Sequence, residues 1–390
     1  MTSATAATRR MEGSSMISFC KAAVTGDESR HIADAISSGQ LGGDGAYTKR
    51  CTAWFEDYAG VPALMTPSCT HSLEMAAFLI GTKPGDEIIM PSYTFVSTAN
   101  AFALRGATIV FVDVESDTIN IDPARIRAAV TDKTTAIAPV HYAGMPCRMD
   151  EIMATAREHD LYVVEDAAQG LMSSYDGAPL GSIGDFGAVS FHTTKNFTSG
   201  GEGGLLYIRN ADFVKRAEIF REKGTNRSAF FRGDVDKYTW RDLGSSMLPS
   251  ELQMAYLWAQ LDGIQALHER RMAIWTRYFD ALHEPLAALG ITTSKPPTDP
   301  RMVHNGHIFF MVTPGDKQPV LGALRERGVH ATSHYEPLHE AEMGRRMGRV
   351  SGTMDNTEAA RRGLIRLPLY VSLSDAEVEH IIASVLEAVR

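Results

Sequence analysis

The chain has 390 residues, long enough for two domains, and its composition, 44% hydrophobic and 22% charged, is that of a globular protein. A formal charge of -9 leaves no excess of Lys and Arg to neutralise phosphates, which argues against a general nucleic-acid binder, and no apolar run reaches the roughly 20 residues of a membrane helix. The four cysteines, Cys20, Cys51, Cys69 and Cys147, are widely separated and form no CxxC pair, so neither a zinc site nor a disulfide framework is expected and a reducing cytoplasm is.

Residues 1–15 are rich in Ser, Thr and Ala, carry Arg9 and Arg10, and lack the apolar stretch of a secretory signal, so a disordered tail is expected over 1–16. From 60 to 208 short apolar runs alternate with helical patterns. Ala63-Leu64-Met65 precedes a helix over 70–80, and Glu87-Ile88-Ile89-Met90 precedes one over 94–104. Thr108-Ile109-Val110-Phe111-Val112 precedes a helix over 123–130, and Ala136-Ile137-Ala138-Pro139-Val140 one over 150–159. Tyr162-Val163-Val164-Glu165 and Gly187-Ala188-Val189-Ser190-Phe191 read as further strands. Such alternation predicts an α/β fold: a large, mainly parallel sheet with helices on both faces. A helix-rich stretch over 250–288 ends at Lys295-Pro296-Pro297; strand patterns at 307–312 and 329–334 and helices over 318–327 and 375–389 follow. These predict a smaller C-terminal α+β domain over 265–390, beside a large domain over 17–264 whose first residues, 17–40, pack with the small one.

Ligands of such sheets bind beyond the carboxyl ends of the strands, and the polar motifs fall there. Lys195 follows the strand ending at Phe191 and precedes the Gly-rich turn Ser199-Gly200-Gly201-Glu202-Gly203-Gly204; Asp166 stands at the end of the strand over 162–165. A lysine amine can hold the aldehyde of pyridoxal phosphate (PLP) as a Schiff base, while a carboxylate keeps the pyridine nitrogen protonated so that the ring accepts electrons. Pro67-Ser68-Cys69-Thr70 ends a strand and opens a helix, where free N–H groups and the helix dipole suit a phosphate. Phe95, in Pro91-Ser92-Tyr93-Thr94-Phe95, offers a ring to stack on the cofactor, and Gln169 follows Asp166 on the same side of a helical turn. Each feature alone has an ordinary reading, as a solvated lysine, a helix cap or a core aromatic; their order along the chain does not.

That order resembles PLP enzymes of the aspartate-aminotransferase fold, and within them the DegT/DnrJ/EryC/StrS family of nucleotide-sugar aminotransferases. The resemblance runs from Ile17 to the C-terminus and is carried by Thr66-Pro67-Ser68-Cys69-Thr70, Pro91-Ser92-Tyr93-Thr94-Phe95-Val96, Pro139-Val140-His141-Tyr142-Ala143-Gly144, Glu165-Asp166-Ala167-Ala168-Gln169 and Ser190-Phe191-His192-Thr193-Thr194-Lys195-Asn196. Arg221–Ser228, Asp236–Asp242 and Tyr335-Glu336-Pro337-Leu338-His339 are similar to the subgroup making dTDP-4-amino-4,6-dideoxygalactose. The resemblance implies that Cys69, Thr70 and Ser190 hold the PLP phosphate, Phe95 stacks on the ring, Asp166 pairs with its nitrogen, Gln169 lies by its hydroxyl, and Lys195 bears it. Lys223, Arg227, Tyr238 and Arg241 are candidates for the nucleotide diphosphate and base, and His334, Tyr335 and His339 for the sugar. One departure stands out: many members place a partner-subunit Asn on the phosphate where this chain has Leu248.

The implied activity is transfer of the amino group of L-glutamate to a dTDP-4-keto-6-deoxyglucose in deoxyamino-sugar biosynthesis, by a homodimer with sites at its interface. C3-keto-sugar aminotransfer, PLP-dependent sugar dehydration and a PLP-binding regulatory partner are the alternatives; the family's dehydratases carry His at the position of Lys195.

Overall fold

A computed structural model of the chain describes residues 16–390; the tail expected over 1–16 lies, but for Met16, outside them. Eight strands form the large sheet, in the spatial order Ala63–Thr66, Gly204–Ile208, Phe186–Ser190, Tyr162–Asp166, Thr134–Ile137, Glu87–Pro91, Thr108–Val112 and Gly348–Val350. Every neighbouring pair from Phe186–Ser190 to Gly348–Val350 is parallel, and Gly204–Ile208 runs antiparallel to both of its neighbours. The fold is the expected α/β arrangement.

Alternate residues of each strand point to opposite faces, so the apolar runs supply two cores at once. Met65, Ile89, Val110, Ile137, Val163 and Leu205 meet helices Ala46–Ala59, Met149–His159 and Glu251–Asp262 on one face. Leu64, Ile88, Ile109, Phe111, Val164 and Leu206 meet Cys69–Leu79, Val96–Ala103 and Val214–Arg221 on the other. This double burial is why the strands read as continuous apolar runs.

After Gly263 the long helix Ile264–Ala287 leads to a second unit, a three-stranded antiparallel sheet in the order Thr292–Thr293, Phe310–Val312, Leu364–Arg366. Its separate core contains Trp275, Tyr278, Phe309, Leu367 and Ile381, packed with helices Gln318–Glu326 and Asp375–Ala388. Two segments cross between the units. Ile17 bridges Val329, and Gly348–Val350 joins the large sheet beside Thr108–Val112. The strand expected at 329–334 is reduced to single bridges from Val329 to Ile17 and from Thr332 to Arg366, and the one at 307–312 shortens to Phe310–Val312. In both places the backbone leaves the sheet so that His334, Tyr335 and His307 reach the large domain. No helix among the described residues is long and apolar enough to cross a membrane.

Candidate active site

The carboxyl ends of the parallel strands open into a cavity of 440 Å³ lined by Cys69, Thr70, Phe95, Asp166, Gln169, Ser190, Lys195, His334 and Tyr335 among others. Nine residues expected at the site from the sequence therefore meet in one place. The other five, His339, Lys223, Arg227, Tyr238 and Arg241, fall elsewhere, as described below.

The strand Tyr162–Asp166 delivers Asp166 to the cavity wall. Its carboxylate is aimed by two donors, Thr98 Oγ1 at 2.7 Å and the Ala168 N–H at 3.1 Å, and Thr98 is itself braced by Thr94 at 2.9 Å. Just behind, the Glu165 carboxylate is fully buried and accepts the N–H groups of Gly181, Ile183 and Gly184 within 2.6–2.9 Å, with His141 Nε2 at 2.9 Å. A buried carboxylate with this many donors costs little to keep, and it pins the loops on either side of Asp166. Gln169 Oε1 accepts from the Ala143 N–H at 2.7 Å, and its amide nitrogen donates to the Tyr335 hydroxyl at 3.3 Å.

The helix Cys69–Leu79 starts at the cavity, capped by Ser68, whose hydroxyl accepts from His71 N–H. The N–H groups of Cys69 and Thr70 have no partner within the helix, and the Thr70 hydroxyl lies 2.8 Å from that of Ser97 on the next helix. Gly204 on the neighbouring strand makes this start possible: a Cβ there would lie 2.4 Å from the Cys69 nitrogen. The result is a ring of short hydroxyls around a positive helix end, a seat for a phosphate dianion.

Lys195 projects into the same cavity from the loop after Phe186–Ser190. Withdrawal from water pushes its amine pKa below that of a free lysine, the nearby Cys69 and Asp166 oppose the shift, and Arg366 adds to it. The next residue anchors it: Asn196 Oδ1 accepts from His307 Nδ1 at 2.6 Å, and Asn305 ties that turn to the carbonyls of Gln169 and Leu171 at 2.7 Å each. His307 is buried and held neutral, its pKa driven down first by loss of water and then by Lys195 and other cations.

The donor set fits PLP. A phosphate seat, a positioned carboxylate, an amide at the ring's flank and a lysine with a lowered pKa surround one cavity of suitable size. Phe95 stands at the rim, its ring 6.4 Å from that of Tyr335. The backbone of Tyr335 is left-handed (φ 44°), a strained state for a bulky residue, and its ring stacks on His334 at 3.6 Å. His334 in turn meets the Tyr142 hydroxyl at 2.9 Å, and the Tyr93 hydroxyl donates to its carbonyl.

His339 and the nucleotide candidates stand apart from this cavity. His339 Nδ1 is tied to Ser92 Oγ at 2.7 Å, and Ser92 also accepts the His339 N–H at 3.0 Å, so the residue clamps the turn before Phe95. Arg227 pairs with the buried Glu222 at 3.1 Å and stacks over Phe231, lining a second cleft. Lys223, Tyr238 and Arg241 are exposed and line none of the cavities described. Leu248 is half-buried, and the Ser250 hydroxyl is engaged as the cap of Glu251–Asp262.

Sequence reasoning missed Thr98, His307, Asn305 and Arg366. Thr98 had a signal, its spacing of four from Thr94 at a helix start. Arg366 had none in the sequence: it sits in an ordinary strand pattern and reaches the cavity only through the docking of the small sheet.

The model of the DegT/DnrJ/EryC1/StrS aminotransferase family matches residues 23–386. Among curated relatives, the spore coat polysaccharide biosynthesis protein SpsC of Bacillus subtilis is 32% identical over 375 residues, covering 93% of this chain and 95% of its own. The GDP-perosamine synthase of Caulobacter vibrioides is 28% identical, over 94% of this chain and 97% of its own. A Streptococcus pneumoniae protein described as a sugar aminotransferase, solved in PLP and PMP forms, superposes with a TM-score of 0.87 at 26% identity, covering 96% of this chain and 98% of that one. The chain therefore belongs to the DegT/DnrJ/EryC1/StrS aminotransferase family, and is a PLP-dependent sugar aminotransferase by membership and fold.

Proposed function

We propose that the protein transfers the amino group of L-glutamate to a dTDP-4-keto-6-deoxyhexose, giving a dTDP-4-amino-4,6-dideoxyhexose and 2-oxoglutarate. The observation that carries the transaminase reading is the meeting of Asp166, Lys195 and the N-terminus of Cys69–Leu79 in one cavity. When bound, PLP supplies an electron sink that accepts an amine from one substrate and returns it to another. The chain does the rest. The helix start and the hydroxyls of Thr70 and Ser190 would hold the phosphate, Asp166 would keep a proton on the ring nitrogen, and Gln169, fixed by Ala143 and Tyr335, would lie at the ring's flank. The Lys195 amine, biased to its neutral form by burial, moves a proton on and off the reacting carbon. A lysine serves both directions of that transfer, which favours amine exchange over dehydration.

The reading includes a homodimer. Phe95 and Val96 are exposed at the mouth of the cavity, and Phe231, Tyr238, Trp240 and Leu243 expose apolar surface along 227–246. Surface of this kind marks an interaction face. A second copy covering the mouth would supply Lys223, Arg227, Tyr238 and Arg241 to a nucleotide held there. The test is incubation with dTDP-4-keto-6-deoxyglucose and L-glutamate, with NMR of the product. An amine at C4 and equimolar 2-oxoglutarate are expected; dehydration of the sugar with no amine transferred would refute the assignment.

A further inference from the structure

Beside the edge strand Gly348–Val350 of the large sheet, three side chains that the reaction does not use point at one spot. His339 and Glu340 lie in the turn Leu338–Glu340, and Glu358 lies in the first turn of the helix Asp355–Gly363. His339 Nε2 is 3.5 Å from Glu340 Oε1 and 3.6 Å from Glu358 Oε1, and the three atoms lie within 4.8 Å of one another. No cysteine takes part, so the cysteine spacing gave no sign of the cluster.

The three groups are divided in the same way. One atom of each is held from outside: His339 Nδ1 by Ser92 Oγ at 2.7 Å, Glu340 Oε2 by Arg345 at 2.6 Å and Glu358 Oε2 by Arg361 at 3.3 Å. The other atom of each faces inward. The His339 side chain is only 9% exposed, yet its Nε2 makes no hydrogen bond, and Glu358 Oε1 is buried without a partner. Such an orphaned carboxylate oxygen is costly and calls for an explanation. A protonated imidazole donating to either carboxylate would close to about 2.7–2.9 Å. The ring instead stands off both by nearly equal, longer distances, as ligands around a central ion do. Nitrogen and oxygen ligands of tetrahedral zinc lie about 2.0–2.1 Å from the metal, and hence about 3.3–3.4 Å from one another.

We infer that His339, Glu340 and Glu358 bind a divalent transition-metal ion of the zinc class, with water in the fourth position. The imidazole argues against Mg²⁺ and Ca²⁺, which take oxygen ligands, and one nitrogen with two carboxylates suits Zn²⁺. Donation of Nδ1–H to Ser92 Oγ leaves the Nε2 lone pair for the ion, and Ser92, Arg345 and Arg361 are the outer partners that orient such ligands. The frame is firm: the Asp113 carboxylate accepts the N–H groups of Asn356 at 3.0 Å and Thr357 at 2.8 Å, which fixes the start of the helix carrying Glu358. Glu340, 45% exposed, supplies the small movement that closes the site. The ion ties residue 340 to residue 358 and so locks the excursion that lays Gly348–Val350 against Thr108–Val112. Its role is structural, and it stands apart from the aminotransferase reading.

The test uses the full-length, PLP-loaded protein, stripped with a chelator, then titrated with Zn²⁺ by calorimetry and with Co²⁺ by absorption. One ion per chain is expected, with the intense visible bands of four-coordinate Co²⁺. Glu358→Gln and Glu340→Gln, each first shown to keep the cofactor's absorption band, should bind Zn²⁺ at least ~100-fold more weakly, and Ser92→Ala about 10-fold, since loss of an outer partner alone costs about 10- to 100-fold. Zn²⁺ should raise the melting temperature of wild type and leave that of Glu358→Gln unmoved, and Mg²⁺ at the same concentration should move neither. If Zn²⁺ does not bind wild type, the cluster is an ion pair of protonated His339 and the inference fails. If Zn²⁺ binds wild type and both Glu variants equally, or the Co²⁺ spectrum is that of a six-coordinate hydrated ion, the metal lies elsewhere and the inference fails. The wild-type spectrum decides even where a variant loses the cofactor.

Discussion

The Lys195 cavity and the 223–246 segment are the two regions expected to carry chemistry, and they are built in opposite ways. In the cavity the expected groups are braced by neighbours: Thr98 aims Asp166, His307 holds the residue after Lys195, and Ala143 holds Gln169. In the segment, Lys223, Tyr238, Trp240 and Arg241 stand in solvent, and Arg227 is spent on Glu222. The residues expected to meet the cofactor converge within one chain. On the dimer reading proposed above, the second would act only against another surface. Cofactor chemistry demands fixed geometry, whereas recognition of a nucleotide can be assembled when two chains meet.

The sharpest way to break this contrast is to remove the cavity's central groups. Lys195→Ala should lower steady turnover on the order of 10⁴-fold, since proton transfer by a positioned side chain supplies up to that factor. Asp166→Asn should lower single-turnover rates ~100-fold or more, comparable to loss of a preorganised electrostatic group. Wild-type rates in either variant would show that the braced cavity is not where the reaction occurs.

A smaller effect is expected in the segment. Arg241→Ala and Lys223→Ala should each raise the KM for the sugar nucleotide roughly 5-fold, the scale of an exposed charge contact, with kcat and the response to glutamate preserved. Salt should reduce the difference from wild type. An unchanged sugar KM in both variants would make the segment a purely structural surface.

The smallest expected effect separates the regions by pH. Burial holds His307 and His334, which line the cavity, well below the usual histidine pKa, and holds His304, in a separate pocket against Trp275, at about 4. The unfolded chain binds protons near pH 6.5 that the folded chain refuses. These histidines therefore contribute stability above that pH and lose it as the pH falls. Thermal melting should drop between pH 7 and pH 5, and His304→Phe, which keeps an aromatic ring beside Trp275, should flatten the slope. An equally steep slope in that variant would place the acid sensitivity elsewhere.

The sequence carried the large sheet and the cofactor site well because both obey local rules. Apolar strands buried on two faces announce themselves by composition, and residues at strand ends are placed by the strands that precede them. Lys195, Asp166 and Cys69 were legible for that reason. Arg366 and His307 were not, because their position depends on how the small sheet docks. The strand expected at 329–334 failed for a related reason: its backbone is diverted to present His334 and Tyr335, and the demand of the site overrides β propensity. Lys223 and Arg241 read as binding residues by their charge within segments similar to the subgroup's, and neither charge nor similarity says which surface a loop will meet.

The strand Gly348–Val350 has a consequence for the making of the protein. It pairs with Ile109 to Phe111, residues emerging from the ribosome some 240 positions earlier, and Gly348 is required because a Cβ there would lie 2.6 Å from the Phe111 ring. Until synthesis reaches that point, the strand Thr108–Val112 is an open edge with an apolar sequence, the kind that pairs with other chains. The C-terminal third of the polypeptide thus guards the solubility of the first, and a messenger truncated before residue 348 should yield aggregates, not a smaller working enzyme.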